Sequence, residues 1–174
     1  MIYKEVINLI KSEEETMAQG KTNAMRILDS KNIEYNMITY DNKDGKIDGV
    51  SVAGKINRDV KEVYKTLVAQ GQSKEIYVFV IPVEEELDLK KGAKAAKEKK
   101  IEMINVKDIT KHTGYIRGGC SPIGMKKLYK TFINESAKDM EKIIVSGGRI
   151  GVQIEINPLI LLEVIEGEFQ DIIK

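Results

Sequence analysis

The sequence predicts an α+β domain built on a mixed or antiparallel, curved sheet. Three observations lead there. β-rich runs and helical repeats alternate without the strand–helix–strand rhythm of a parallel α/β protein. Two of the β-rich runs flank a short Gly-Gln-Ser turn, which is hairpin chemistry. A chain of 174 residues suits one hydrophobic core.

Each element follows from its own pattern. "MIYKEVINLIKSEEETMAQG" carries Ile2, Val6, Leu9 and Ile10 at helical spacing before an acidic run and Gly20, so a short amphipathic helix and a stop are expected. Thr22 precedes "NAMRILDSKNI", a second helix, and "EYNMITY" alternates into a strand that ends at Tyr40. Asp41 to Gly49 is a polar loop, and "VSVAGKI" a short helix. "VYKTLVAQGQSKEIYVFVIP" supplies the hairpin. Period-two alternation sets Val63, Lys65 and Leu67 on one of its faces and Tyr64, Thr66 and Val68 on the other. A lysine among apolar partners is either an edge-strand gatekeeper or a site residue.

Further along, "ELDLKKGAKAAKEKK" is a helix, "IEMINV" a strand, and "KDITKHTG" a helical turn closed by Gly114. Strands follow at "LYKTFIN", "KIIVSGG" and "VQIEI". Pro158 opens the helix "PLILLEVIEG", where its missing N–H is no loss, and Gly167 closes it.

Composition removes several functions. Charged residues make up 32% of the chain, no apolar run is long enough for a bilayer span, and the first residues do not read as a leader. A cytoplasmic protein with no membrane partner is expected. One cysteine and one histidine cannot build a disulfide, a Cys-x-x-Cys redox pair or a structural zinc site, and neither a metal nor another cofactor is expected. The net charge of +1 conceals segregation: "KKGAKAAKEKK" holds six lysines against Glu98 alone, and Lys126, Lys127 and Lys130 form a second cluster. These flank a Gly-rich stretch and favour an anionic ligand.

Two Gly-rich turns are the best candidates for a site. In "GGCSP", Gly118 and Gly119 allow close approach of backbone N–H groups to a ligand, and Pro122 fixes the exit. "VSGG", Ser146 to Gly148, ends an apolar strand, and the two turns are placed to face each other across a pocket. Neither has the spacing of a Walker loop or a Rossmann fingerprint. Cys120 with His112 as base would form a nucleophilic pair, but a lone cysteine more often acts as a small buried hydrophobe. Gln153 and Glu155 share one strand face and are expected to face solvent, since no second acid accompanies them.

The segments "TNAMRILDSKNIEYNMITY", "VYKTLV", "ELDLKKGAKAAKEKKIEMI", "TGYIRGGCSPIGMKK" and "IIVSGG", in this order and spacing, resemble the YbaK/EbsC family. These are Cys-tRNA deacylases related to the editing domain inserted in bacterial prolyl-tRNA synthetases. The resemblance runs from about Ala18 onward, leaving 1–17 as an N-terminal helical extension and 18–174 as the editing domain.

The resemblance implies a sheet curved into a barrel-like pocket with surrounding helices. It also implies hydrolytic proofreading in trans: cysteine wrongly attached to proline tRNA is removed, with prolyl-tRNA synthetase a partner and Cys-tRNA(Cys) a further substrate. Cysteine and proline are close in size, and a pocket separates such near-isosteres by only ~1–3 kcal/mol, so a second, clearing site is useful. By the same resemblance Lys65 is a catalytic residue that holds the charged 3′ end of the tRNA, through its terminal phosphate or the ribose hydroxyls. Gly118 is the other, offering backbone N–H to the ester carbonyl.

Tyr40, Thr66, Gly119, Cys120, Ser121, Pro122, Ser146, Gly147 and Gly148 are implied to shape the substrate pocket, with Cys120 where other members carry aliphatic residues. Lys90, Lys91, Lys94, Lys126 and Lys127 are implied contacts to tRNA phosphates. Gln153 stands where some relatives carry an aspartate and is left out of the catalytic set. The substrate thiol would attack its own ester, releasing a thiolactone. Two alternatives stand beside this reading: an alanyl-tRNA(Pro) deacylase of the same superfamily, and a non-catalytic tRNA- or nucleotide-binding module.

Overall fold

The computed structural model describes residues 2–174; the side chains of Leu9 and of 12–19 lie outside the described residues. Most helices begin where a polar side chain meets the free N–H groups of the first turn. Thr22 caps α2 (Asn23–Ser30), Asp48 caps α3 (Gly49–Lys55), Asp88 caps α4 (Leu89–Ala96), and Asn157 caps α6 (Pro158–Val164) with proline in its first turn. Helix α5 (Ile109–Thr113) ends on Gly114 at φ 83°. Helix α1 (Ile2–Gln19) runs on through the acidic stretch that was expected to follow it. No described helix is long and apolar enough to cross a membrane.

Helix α4 is shorter than the lysine-rich stretch suggests. Lys97 turns left-handed at φ 57°, and Glu98 bends back to accept hydrogen bonds from the N–H and hydroxyl of Ser73 at 3.1 and 2.6 Å. Lys99 and Lys100 therefore lie outside the helix.

The expected α+β arrangement is present, with its strands divided between two sheets and no closed barrel. The first has the order β1 (Asn36–Thr39), β7 (Val152–Ile156), β6 (Ile143–Arg149) and is antiparallel throughout. The second is mixed, in the order β4 (Ile101–Met103), β2 (Tyr64–Gly71), β3 (Ile76–Pro82), β5 (Lys130–Asn134), β8 (Glu168–Gln170). The predicted β2–β3 hairpin is antiparallel, while β3–β5 and β5–β8 are parallel. Strand β8 escapes a periodicity reading because three residues carry too little pattern.

Apolar side chains settle where these sheets meet. Tyr64, Val78, Val80 and Ile133 of the mixed sheet pack against Val145, Ile154 and Ile156 of the other, with Leu28 of α2 and Leu161 of α6 closing the core. On the other face of the mixed sheet, Phe79, Ile81 and Phe132 pack against Ala93 and Ala96 of α4. A small third cluster, Ala53, Val63, Val83 and Ile144, ties α3 to the point where the sheets touch. There Val63 forms a parallel bridge to Ile144.

Candidate active site

The short length of β4 creates the site. It pairs only with Ala69 to Gly71, so the first residues of β2 have β3 on one side and no β4 partner on the other. A cleft of about 500 Å³ opens at this place. Val63, Tyr64, Lys65 and Thr66 form one wall, and Arg117, Gly118 and Cys120 of the first Gly-rich turn form another. Ser146 and Gln153, paired across β6 and β7, contribute a third side.

A polar loop closes the remaining side, and one ammonium group holds it. Lys55 donates to the carbonyls of Asp41 and Lys46 at 2.8 and 2.9 Å and to the carboxylate of Asp44 at 2.6 Å. This fixes the approach to Ile47 and Asp48, both of which border the cleft. Asp48 accepts from Ser51 N–H at 3.1 Å, so its carboxylate is engaged by the helix it caps.

The two Gly-rich segments do not face each other across the cleft: the first turn packs directly on Arg149 and Ile150, just after the second. Ile116 to Gly119 closes with Gly119 N–H donating to Ile116 O at 3.0 Å. Gly118 has φ 84° at the third position, where a type II turn requires a positive φ. A Cβ on Gly118 would also stand 2.6 Å from Ile47 Cδ1, and one on Gly119 3.0 Å from Ile150 N. Glycine is thus needed here both for conformation and for the contact between turns. The N–H of Gly119 is consumed inside the turn, whereas that of Gly118 meets no acceptor among the described residues.

Lys65 is partly buried and has no ion-pair or hydrogen-bond partner among the described residues. Burial lowers its pKa below the ordinary lysine value, and the charges of Glu86 and Glu85 oppose that shift. Glu86 itself is paired with Lys174 at 2.9 Å. Thr66 presents a buried hydroxyl oxygen without a partner among the described residues.

Cys120 does not suit the role of nucleophile. Burial pushes its thiol up to about 11, against a hydrogen bond with Thr113 that pulls the other way. A thiol so placed is almost wholly protonated at neutral pH. We expect Cys120→Ala to retain deacylation activity within about threefold, as read by single-turnover kinetics.

Several expected site residues lie elsewhere. Tyr40 is 5% exposed and does not border the cleft. Its ring lies 5.7 Å from the Lys55 ammonium, behind the loop that Lys55 holds. Gly119 and Gly147 pack against backbone and Val152 behind the cleft wall, and Gly148 lies against Tyr115. Ser121 is fully buried and accepts from Ile123 N–H at 3.3 Å. Pro122 and Lys127 line a separate cavity of about 190 Å³.

None of the five lysines expected on phosphate borders the cleft. Lys91 and Lys94 face a different groove, and the Lys91 ammonium is bound to Asp171 at 3.0 Å and to Ile173 O at 2.8 Å. Lys126 reaches Lys111 O at 3.2 Å. Lys90 is exposed beyond the cleft. For Lys90, Lys91 and Lys94 the reason is that α4 packs on the far face of the mixed sheet.

Gln153 and Glu155 also depart from expectation. They are 6% and 7% exposed, because β7 is the central strand of its sheet and the face they share is covered. Gln153 borders the cleft. Glu155 binds Arg58 at 2.5 Å and accepts from Asn36 at 2.9 Å, a structural ion pair. Arg117 and Asp48 are cleft residues that the sequence reading did not select. The one available signal was position: Arg117 directly precedes the glycine pair.

The structure is thus a two-sheet α+β domain with a cleft that Gly118 of the first turn and Lys65 of β2 both border. The chain belongs to the aminoacyl-tRNA editing domain family, which it matches over residues 48–164. It is 44% identical over 154 residues to a protein of Enterococcus faecalis provisionally named Cys-tRNA(Pro)/Cys-tRNA(Cys) deacylase EbsC, covering 88% of this chain and 94% of that one. A crystal structure provisionally described as a trans-editing enzyme for prolyl tRNA synthetase superposes with a TM-score of 0.72 at 18% identity, over 80% of this chain and 87% of that one. The crystal structure of a hypothetical protein gives a TM-score of 0.81 at 17% identity, over 88% and 100% of the two chains. These two structures share the fold.

Proposed function

We propose that the protein is a trans-editing aminoacyl-tRNA deacylase that clears cysteine from mischarged tRNA(Pro) and acts also on Cys-tRNA(Cys). The observation that carries this reading is the cleft itself. Lys65, partly buried and in no ion pair among the described residues, and Gly118, whose N–H meets no acceptor among them, border the same space, and the one cysteine there is held protonated by burial. Such a site can position and polarise an ester, but it needs the attacking group to arrive with the substrate.

In this mechanism the 3′-terminal ribose enters past Ile47, and Lys65 donates to its hydroxyl oxygens. The Gly118 N–H points at the ester carbonyl and strengthens its hydrogen bond as negative charge develops there. The substrate's thiolate attacks that carbonyl: a C–S bond forms, the ester C–O bond breaks, and the proton lost by the thiol ends on the ribose oxygen. Thr66 and Gln153 are the polar side chains placed to hold the aminoacyl portion. Action in the cytoplasm beside prolyl-tRNA synthetase would give the enzyme its mischarged substrate.

The test is a deacylation assay with Cys-tRNA(Pro), Cys-tRNA(Cys) and Ala-tRNA(Pro). Release of cysteine from the first two, with alanine retained, is expected. Preferential release of alanine would instead mark a site that selects by size, and tRNA binding without any release would mark a binding module.

A further inference from the structure

Arg117 has no task in the mechanism above, yet its position is specific. It occupies the second position of the Ile116 to Gly119 turn, directly before the glycine whose N–H meets no acceptor among the described residues. Its side chain is exposed and borders the cleft. The neighbouring arginines are committed: Arg58 binds Glu155 and Glu62, and Arg149 donates to Gly20 O at 2.7 Å. Arg117 has no ion-pair partner among the described residues.

The carboxylate that borders the cleft, Asp48, forms no ion pair with Arg117. Asp48 is turned to the helix it caps, where hydrogen bonding from the Ser51 hydroxyl and then from its N–H holds the carboxyl below the usual aspartate value. The cleft therefore carries two cations that no ion pair engages among the described residues, Lys65 on β2 and Arg117 on the turn. A ligand that satisfies both needs polar oxygens beside the reacting ester and an anionic group on the side of the turn.

We infer that Arg117 binds the phosphodiester on the 5′ side of the terminal nucleoside and so sets the register of the ester over Gly118. This inference rests on the deacylase reading and divides its work: Lys65 takes the ribose hydroxyls and Arg117 the phosphate. The fork of a guanidinium matches two phosphate oxygens at once, which fixes orientation as well as position. Placement on a turn locked by the Gly118 conformation couples that orientation to the carbonyl-binding N–H with no flexible segment between them.

Removing the phosphate from the substrate separates this role from a structural one. The substrates are 3′-O-cysteinyl adenosine 5′-monophosphate and 3′-O-cysteinyl adenosine, each with wild type, Arg117→Ala and Arg117→Lys. For the phosphorylated ester, Arg117→Ala is expected to lower kcat/KM about tenfold or more, through kcat as well as KM because the ester loses its register, and Arg117→Lys to recover part of the loss. The penalty should vanish with the unphosphorylated ester. Equal penalties on both esters, or none on either, overturn the assignment.

Titration with adenosine monophosphate and adenosine gives a readout independent of catalysis. The preference of wild type for the phosphorylated nucleoside should be lost in Arg117→Ala, and a preference that persists overturns the assignment. If wild type cleaves neither ester, the deacylase reading fails, while the titration still decides whether Arg117 reads phosphate.

Discussion

Lys65→Ala is expected to lower the rate of Cys-tRNA(Pro) deacylation by about a hundredfold or more while leaving the fold intact. Both halves of this expectation follow from the environment of the ammonium. It is drawn into the cleft wall by a strand whose outer edge β4 leaves uncovered, and burial already lowers its pKa. The cost of that desolvation is met by no salt bridge among the described residues. Truncation therefore breaks no structural pair and should change unfolding free energy by less than about 1 kcal/mol.

The ligand, in contrast, loses its contact in a site where water competes poorly, and positioned donors of this kind are typically worth about 10²–10³ in rate. Lys65→Arg is not expected to restore activity, because a planar fork does not fit where a compact ammonium does. The measurement is single-turnover deacylation together with a denaturant titration of both variants. Loss of activity in proportion to loss of stability would place Lys65 in the fold and not in the site.

What the sequence reveals about this molecule depends on how local the cause is. The alternation around Lys65 is visible because strand periodicity is set by the strand itself, and the paired glycine turns are visible because glycine marks backbone geometry directly. The burial of Glu155 is not visible, since nothing near it in the chain announces that Arg58 and Asn36 will meet it. The resemblance implies Tyr40 on the pocket wall, but the loop after it is held by Lys55 and puts Ile47 there instead. The position of Lys90, Lys91 and Lys94 away from the cleft is hidden for a similar reason: charge segregation along the chain says nothing about which face of a sheet receives the helix that carries it. Arg117 is the opposite case. Its side chain was in plain view beside the glycines, but only the positive φ of Gly118 shows that it stands at the corner of the turn.

The larger of the expected effects concerns the substrate. Replacing cysteine by serine on the same tRNA should slow deacylation by about a thousandfold or more. Intramolecular attack by a well-oriented group reaches effective molarities of about 10⁵–10⁸ M, and serine's hydroxyl, unlike a thiol, is not appreciably ionised near neutral pH. The pH profile supplies a second, independent signature. With a thiol pKa near ~8.5, the thiolate fraction and hence the rate should climb about tenfold per pH unit below that value and level off above it. Cys120 cannot imitate this curve, because burial pushes its thiol up to about 11, and the profile should be unchanged in Cys120→Ala. Detection of the thiolactone before free cysteine, by trapping with hydroxylamine or by mass spectrometry of early time points, completes the argument. Equal rates for cysteinyl and seryl esters would require water to be the nucleophile, and the cleft would then need a base that neither Cys120 nor the engaged Asp48 supplies.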